Sequence, residues 1–260
     1  MLLRDKVVVI SGVGPGMGVE LARAAVREGA HVVLAARSAG YLEKTAGELA
    51  SSSDRRIAWL PTDITDADQC RALAHHALRE MGRVDALVNN AYRMAAKLPF
   101  VEMDASDFRI HLEVNFVGTL QMTQAFVPAL RESGGGAIAM ISSITARAPM
   151  DGMLDYAASK SALQAATRNL ALELGPDRIR VNTLAMGWML GPAVTDYMRE
   201  RVAEQGLDFE GLLEEARRRI PLGGIPDDAD CADAVIFMIS DHARAITGAL
   251  LDVNGGEYMP

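Results

Sequence analysis

Val7-Val8-Val9-Ile10-Ser11-Gly12-Val13-Gly14-Pro15-Gly16-Met17-Gly18 decides the fold class of this chain. Four β-branched residues in a row read as a strand buried on both faces. The glycines that follow allow a sharp turn, and residues 16–28 read as a helix. A strand that enters a helix through a Gly-rich turn can hold a phosphate, because the helix N-terminus offers free N–H groups and a partial positive charge. GxGxxG spacing fails, since its last glycine would fall at Met17. GxxxGxG fits, through Gly12, Gly16 and Gly18, with Met17 opening the helix. The plainer alternative is a loop whose glycines only let strand and helix pack.

The same rhythm continues outward. Strands are predicted at 31–36, 57–61, 86–88, 137–142, 179–184 and 249–253. Helices are predicted at 41–49, 67–81, 106–130, 156–174 and 231–239. Apolar strands alternating with amphipathic helices give an α/β fold, a doubly wound parallel sheet of Rossmann type with helices on both faces. The 260 residues read as a single domain. Only 188–225 breaks the rhythm; rich in Met, Gly and charge, it reads as a lid over the substrate.

The net charge of −8, from 26 basic and 34 acidic residues, argues against nucleic acid as a partner. No apolar run approaches a bilayer's thickness, and the start of the chain has no signal-peptide pattern. Cys70 and Cys231 form no ligand cluster and fit a reducing compartment. A cytoplasmic protein is expected, with no membrane partner and no metal.

At the end of the second strand, Ala36 stands where an acid would favour NAD, and Arg37 supplies a base that can pair a 2′-phosphate. The reading leans to NADP over NAD, with adenine stacking or a plain surface role as the alternatives for Arg37.

Tyr156 and Lys160 lie four apart on one helix face. A carbonyl being reduced needs a proton donor on its oxygen. Tyrosine titrates too high for that unaided, and a neighbouring ammonium lowers it. An isolated YxxxK is commonly a surface pair. Here Ser142-Ser143 and Asn89-Asn90-Ala91 each end a strand at the same sheet edge.

Taken together, Gly12-xxx-Gly16-x-Gly18, Asp63, Asn89-Asn90-Ala91, Asn115, Ser143 and Tyr156-xxx-Lys160 resemble the short-chain dehydrogenase/reductase family, in its order and over nearly the whole chain. The resemblance implies Tyr156 as acid-base, with Lys160 tuning it and binding the nicotinamide ribose. It makes Ser143, rather than Ser142, the holder of the substrate oxygen. Asn115 would anchor a water of the proton relay, or cap a kink in its helix. Asp63 and Ile64 would contact adenine, with an N-cap as the alternative for Asp63. Asn90 and Ala91 would line the adenosine ribose, and Gly187 the carboxamide. The family's usual glycine after Asn-Asn-Ala is Tyr92 here, and its Pro-Gly is Met186-Gly187.

A small-molecule secondary alcohol or ketone is the implied substrate, and a homotetramer the implied assembly. Tyr92, Met94, Ala146, Met150, Met153, Trp188, Met189, Tyr197 and Met198 form a candidate wall for something bulky and apolar, or simply pack the lid. Two other functions compete. A sugar-nucleotide epimerase would carry a larger C-terminal domain. A non-catalytic NAD(P)-binding regulator would have lost Ser, Tyr or Lys.

Overall fold

The computed structural model describes all residues except Ala96 and Leu207, together with the side chains of the helical residues Ala193, Tyr197, Glu200, Arg201, Glu204 and Gln205 excepted. Seven parallel strands form one sheet in the order β3-β2-β1-β4-β5-β6-β7. They are β1 (Val7–Ser11), β2 (His31–Ala36), β3 (Ile57–Pro61), β4 (Ala86–Asn89), β5 (Gly136–Ser143), β6 (Ile179–Met186) and β7 (Leu250–Val253). Between them run α1 (Met17–Arg27), α2 (Ala39–Ser52), α3 (Ala67–Met81), α4 (Ala105–Leu112), α5 (Thr119–Glu132) and α6 (Leu154–Leu174). After β6 come α7 (Pro192–Gln205), α8 (Phe209–Arg218) and α9 (Asp228–Ile239).

The sheet carries apolar layers on both faces. Ile10, Leu34 and Val88 pack with Leu21 of α1, Leu42 of α2 and Val235 of α9. Val9, Leu87 and Met140 pack on the other face with Leu73 of α3, Phe126 of α5 and Leu163 of α6. This two-sided burial is why the central strands read as unbroken apolar runs. The edge strand β3 is only half-buried, so the sequence overstated its cover.

Strand order reverses between β1 and β4, and the carboxyl ends of those two strands define the crevice where ligands bind in such sheets. Buried Asp85 ties β1 to β4 at the opposite edge, accepting the Val7 N–H at 2.9 Å and pairing with Arg83 at 2.6 Å.

Several predicted boundaries change. The helix expected at 106–130 is interrupted by a π-helical turn at Glu113–Gly118, which contains Asn115. Such a turn widens the backbone hydrogen-bond pattern and is common at functional sites. The charged stretch 193–219 is two helices, α7 and α8, with a small core of their own: Met198, Leu213, Ala216, Ile220 and Ile225. Cys70 and Cys231 do not lie on polar surfaces; both are fully buried, on the core faces of α3 and α9.

Candidate active site

The phosphate turn follows from crowding. Gly12 has φ +95°, and a Cβ there would stand 2.3 Å from the Ala91 amide nitrogen. A Cβ on Gly18 would meet the Gly12 carbonyl at 2.3 Å. Gly14 faces open space, as the GxxxGxG spacing requires. Asn90 closes the turn from β4, its amide donating to the Gly12 carbonyl at 2.8 Å. The first helical residue is Met17, and no side chain caps the N-terminus of α1. That leaves a backbone cradle of N–H groups suited to a dinucleotide pyrophosphate.

Two acids also face this cradle. Asp228 of α9 is buried, and a Cβ on Gly16 would lie 3.0 Å from its carboxylate. Glu20 stands in the first turn of α1. Burial first, then Glu20 and Asp227, raises the Asp228 carboxyl above its usual range. Asp228 carries no local signature, because its approach to Gly16 comes from the packing of α9 on α1.

Arg37 is exposed just beyond β2 and, among the described residues, makes no ion pair. Asp63 turns its carboxylate back to the Thr65 amide (2.9 Å) and hydroxyl (2.7 Å). Asp66, not Asp63, caps α3. Ile64 is buried and lies close against Gly118 of the π turn. Gly187 donates to the Val253 carbonyl at 3.2 Å, in a gap too narrow for a side chain because of Asn254.

Tyr156 and Lys160 sit in the first turns of α6, 7% and 3% exposed. The Lys160 Nζ lies 5.6 Å from the Tyr156 ring centroid and 5.6 Å from that of Tyr92, and it donates to the Ile141 carbonyl at 2.8 Å. Tyr92 meets Tyr156 edge-on at 6.4 Å. Tyr92 therefore stands over the Tyr156 and Lys160 side chains.

The electrostatics depart from expectation. Burial pushes the Tyr156 phenol well above its ordinary value, Tyr92 adds to this, and a hydrogen bond from Ser143 pulls the other way. Burial also lowers Lys160, to about 7. Desolvation penalises the phenolate and the ammonium alike, and here it exceeds the mutual help inferred from their spacing.

Ser143, at the end of β5, accepts from the Thr145 amide (3.2 Å) and hydroxyl (3.0 Å). Ser142 is buried and structural, donating to the Lys160 carbonyl at 3.3 Å and accepting from Gln164 at 3.1 Å. The Asn115 amide oxygen takes the Arg93 N–H at 2.7 Å, and its nitrogen donates to the Arg93 carbonyl and to Ser159, both at 3.0 Å. The side chain thus holds the loop that carries Tyr92.

Beside this group opens a cavity of about 720 Å³. Ala146, Met150 and Met153 line it as expected, with Phe100, Arg147 and Lys97, which the sequence reading missed. Thr145 and Ala157, close in sequence to Ser143 and Tyr156, line it, but those two residues do not. Tyr92 and Met94 are half-exposed, whereas Met198 is lid core and Met189 packs on the main core. Trp188 packs on the lid cluster, and the side chain of Tyr197 lies outside the described residues.

A family model described as enoyl-(acyl carrier protein) reductase matches residues 12–257. The oxidoreductase UcpA of Salmonella typhimurium is 32% identical over 261 residues, covering 99% of this chain and 96% of its own. L-sorbose reductase from Gluconobacter frateurii, solved with NADPH and L-sorbose, superposes with a TM-score of 0.94 at 28% identity, over 99% of this chain and 98% of the other. A 7 alpha-hydroxysteroid dehydrogenase complexed with NADH and 7-oxo glycochenodeoxycholic acid gives 0.88 at 31% identity, over 98% and 94%.

Proposed function

This chain belongs to the short-chain dehydrogenase/reductase family, and we propose that Tyr156 protonates the oxygen of its ketone substrate, or deprotonates that of the alcohol, while Ser143 holds that oxygen. The chain is an oxidoreductase that moves a hydride between a nicotinamide cofactor and an alcohol or ketone. The observation that carries the residue assignment is the convergence of Tyr156, Ser143 and Lys160 beside the cleft that begins at Gly12.

The cofactor's pyrophosphate would rest on Gly12, Gly16, Met17 and Gly18, its adenosine along Asp63, Ile64, Asn90 and Ala91, and its carboxamide near Gly187. Bound there, it supplies or accepts the hydride. The remaining steps belong to the chain. The Tyr156 phenol, kept protonated by burial, is the acid for reduction. The Lys160 ammonium, 5.6 Å from the ring centroid, stabilises negative charge on the phenol oxygen as the proton leaves. Ser143 orients the carbonyl through its hydroxyl. Asn115 supports the site by fixing the Arg93 loop.

The free, exposed Arg37 favours NADP over NAD. The apolar lining of the 720 Å³ cavity favours a bulky substrate, with residues 188–225 as its lid. Exposed Ile110, Leu112 and Val117 along α4 and the π turn offer a face for another copy, in keeping with a homotetramer. Two buried free cysteines suit a cytoplasmic setting, and no helix among the described residues is long and apolar enough to cross a membrane.

Titration with NADPH and NADH, followed by a panel of ketones and alcohols, tests this reading. Saturable cofactor binding with turnover of at least one carbonyl class supports it. Binding without any turnover would favour the non-catalytic alternative.

A further inference from the structure

A fully buried ion pair stands behind the catalytic turn. The His111 Nδ1 lies 2.9 Å from Asp155 Oδ2, with side chains 3% and 2% exposed. The same nitrogen lies 2.8 Å from the Asp107 carbonyl, and Nε2 lies 3.0 Å from the Met94 carbonyl. Carbonyl oxygens only accept, so the ring serves these partners by donating from both nitrogens. The ring thus bridges three oxygens, the Asp155 carboxylate and the Asp107 and Met94 carbonyls. The Asp107 carboxylate is engaged elsewhere, on the Asp104 amide at 2.9 Å.

The second oxygen of Asp155 accepts the Tyr156 amide at 2.7 Å. Met153, the N-cap of α6, provides no side-chain cap. The first turn of a helix has amide hydrogens without internal partners, and Asp155 satisfies one of them at the residue that carries the phenol. Met94 follows Tyr92 by two residues on the loop that Asn115 also holds. One imidazole ring therefore joins α4, the Tyr92 loop and the turn bearing Tyr156.

We propose that His111, through its buried pair with Asp155, is a positioning residue that fixes the Tyr156 turn and the Tyr92 loop against each other. The catalytic part of this inference rests on the function proposed above. The His111→Leu substitution strands a buried carboxylate, and its nearest escape is to unwind the first turn of α6. Adding Asp155→Asn removes that charge and keeps an acceptor for the Tyr156 amide.

The experiment measures amide hydrogen exchange across residues 154–160, cofactor Kd and kcat in the wild type, His111→Leu and the double variant. Expected for His111→Leu is exchange at least tenfold faster at that turn, kcat at least tenfold lower and cofactor Kd within twofold. The double variant should recover at least threefold in both exchange and kcat. Unchanged exchange at the turn, a parallel loss of cofactor affinity, or no recovery in the double variant overturns the proposal. If His111→Leu does not fold, Asp155→Ala replaces it, since it breaks the same contact from the other side; unchanged exchange there is equally fatal. Wild-type turnover in the same assay reports separately on the proposed function, and the exchange readout stands without it.

Discussion

Lys160→Met should stabilise the protein while abolishing its chemistry. Burial moves the Lys160 amine from 10.5 to about 7. A displacement of that size costs the fold about 5 kcal/mol while the ammonium is retained. Methionine has a similar length and carries no charge. It forfeits the bond to the Ile141 carbonyl, worth about 1 kcal/mol. Allowing for imperfect packing of the thioether, the net gain is about 3 kcal/mol.

The sign follows from proton counts. Between pH 7 and 10.5 the unfolded lysine holds a proton that the folded one has released, so wild-type stability rises with pH in that window. The penalty is complete below pH 7 and gone above 10.5. Urea unfolding at pH 6 and pH 10 reads the difference. The variant should lead by about 3 kcal/mol at pH 6 and trail by about 1 kcal/mol at pH 10, where the burial penalty has fallen by about 4 kcal/mol. A variant no more stable than wild type at pH 6, or a lead independent of pH, refutes the claim that the ammonium is buried at a cost.

Other outcomes follow from the cofactor cleft. Arg37→Ala should weaken NADPH by about tenfold and leave NADH nearly unchanged, as one lost charge-assisted contact would; isothermal titration with both cofactors checks it, and equal weakening counts against a 2′-phosphate contact. Asp228→Asn should tighten either cofactor about threefold, because it removes a negative charge that faces Gly16. Weaker binding by Asp228→Asn in the same titration would show that the carboxylate helps to build the cradle instead.

The sheet was legible because its central strands are buried on both faces, and hydrophobic runs report that directly. That Ser143, Tyr156 and Lys160 come together was legible because each is fixed by a strand end or a helix turn. The sequence could not show the balance of desolvation against charge, so the direction of the Tyr156 shift came out reversed. Nor could it show that the Asn115 amide faces Arg93, since the π turn that aims it has no pattern of its own. Asp228 and the His111–Asp155 pair escaped for a related reason. Each meets partners far along the chain, brought close only by helix packing. Met198 was open between pocket wall and packing within 188–225, and it packs with Leu213, Ala216, Ile220 and Ile225, partners the sequence alone does not name.

The central claim is that the Tyr156 phenol moves the proton. Tyr156→Phe keeps the ring beside Tyr92 and removes only the hydroxyl. Single-turnover reduction of a ketone by the saturated variant, followed as loss of reduced-cofactor fluorescence, should be slower by roughly 10² to 10⁴-fold, with cofactor Kd within about threefold of wild type. Hydride transfer at the wild-type rate in Tyr156→Phe would contradict it.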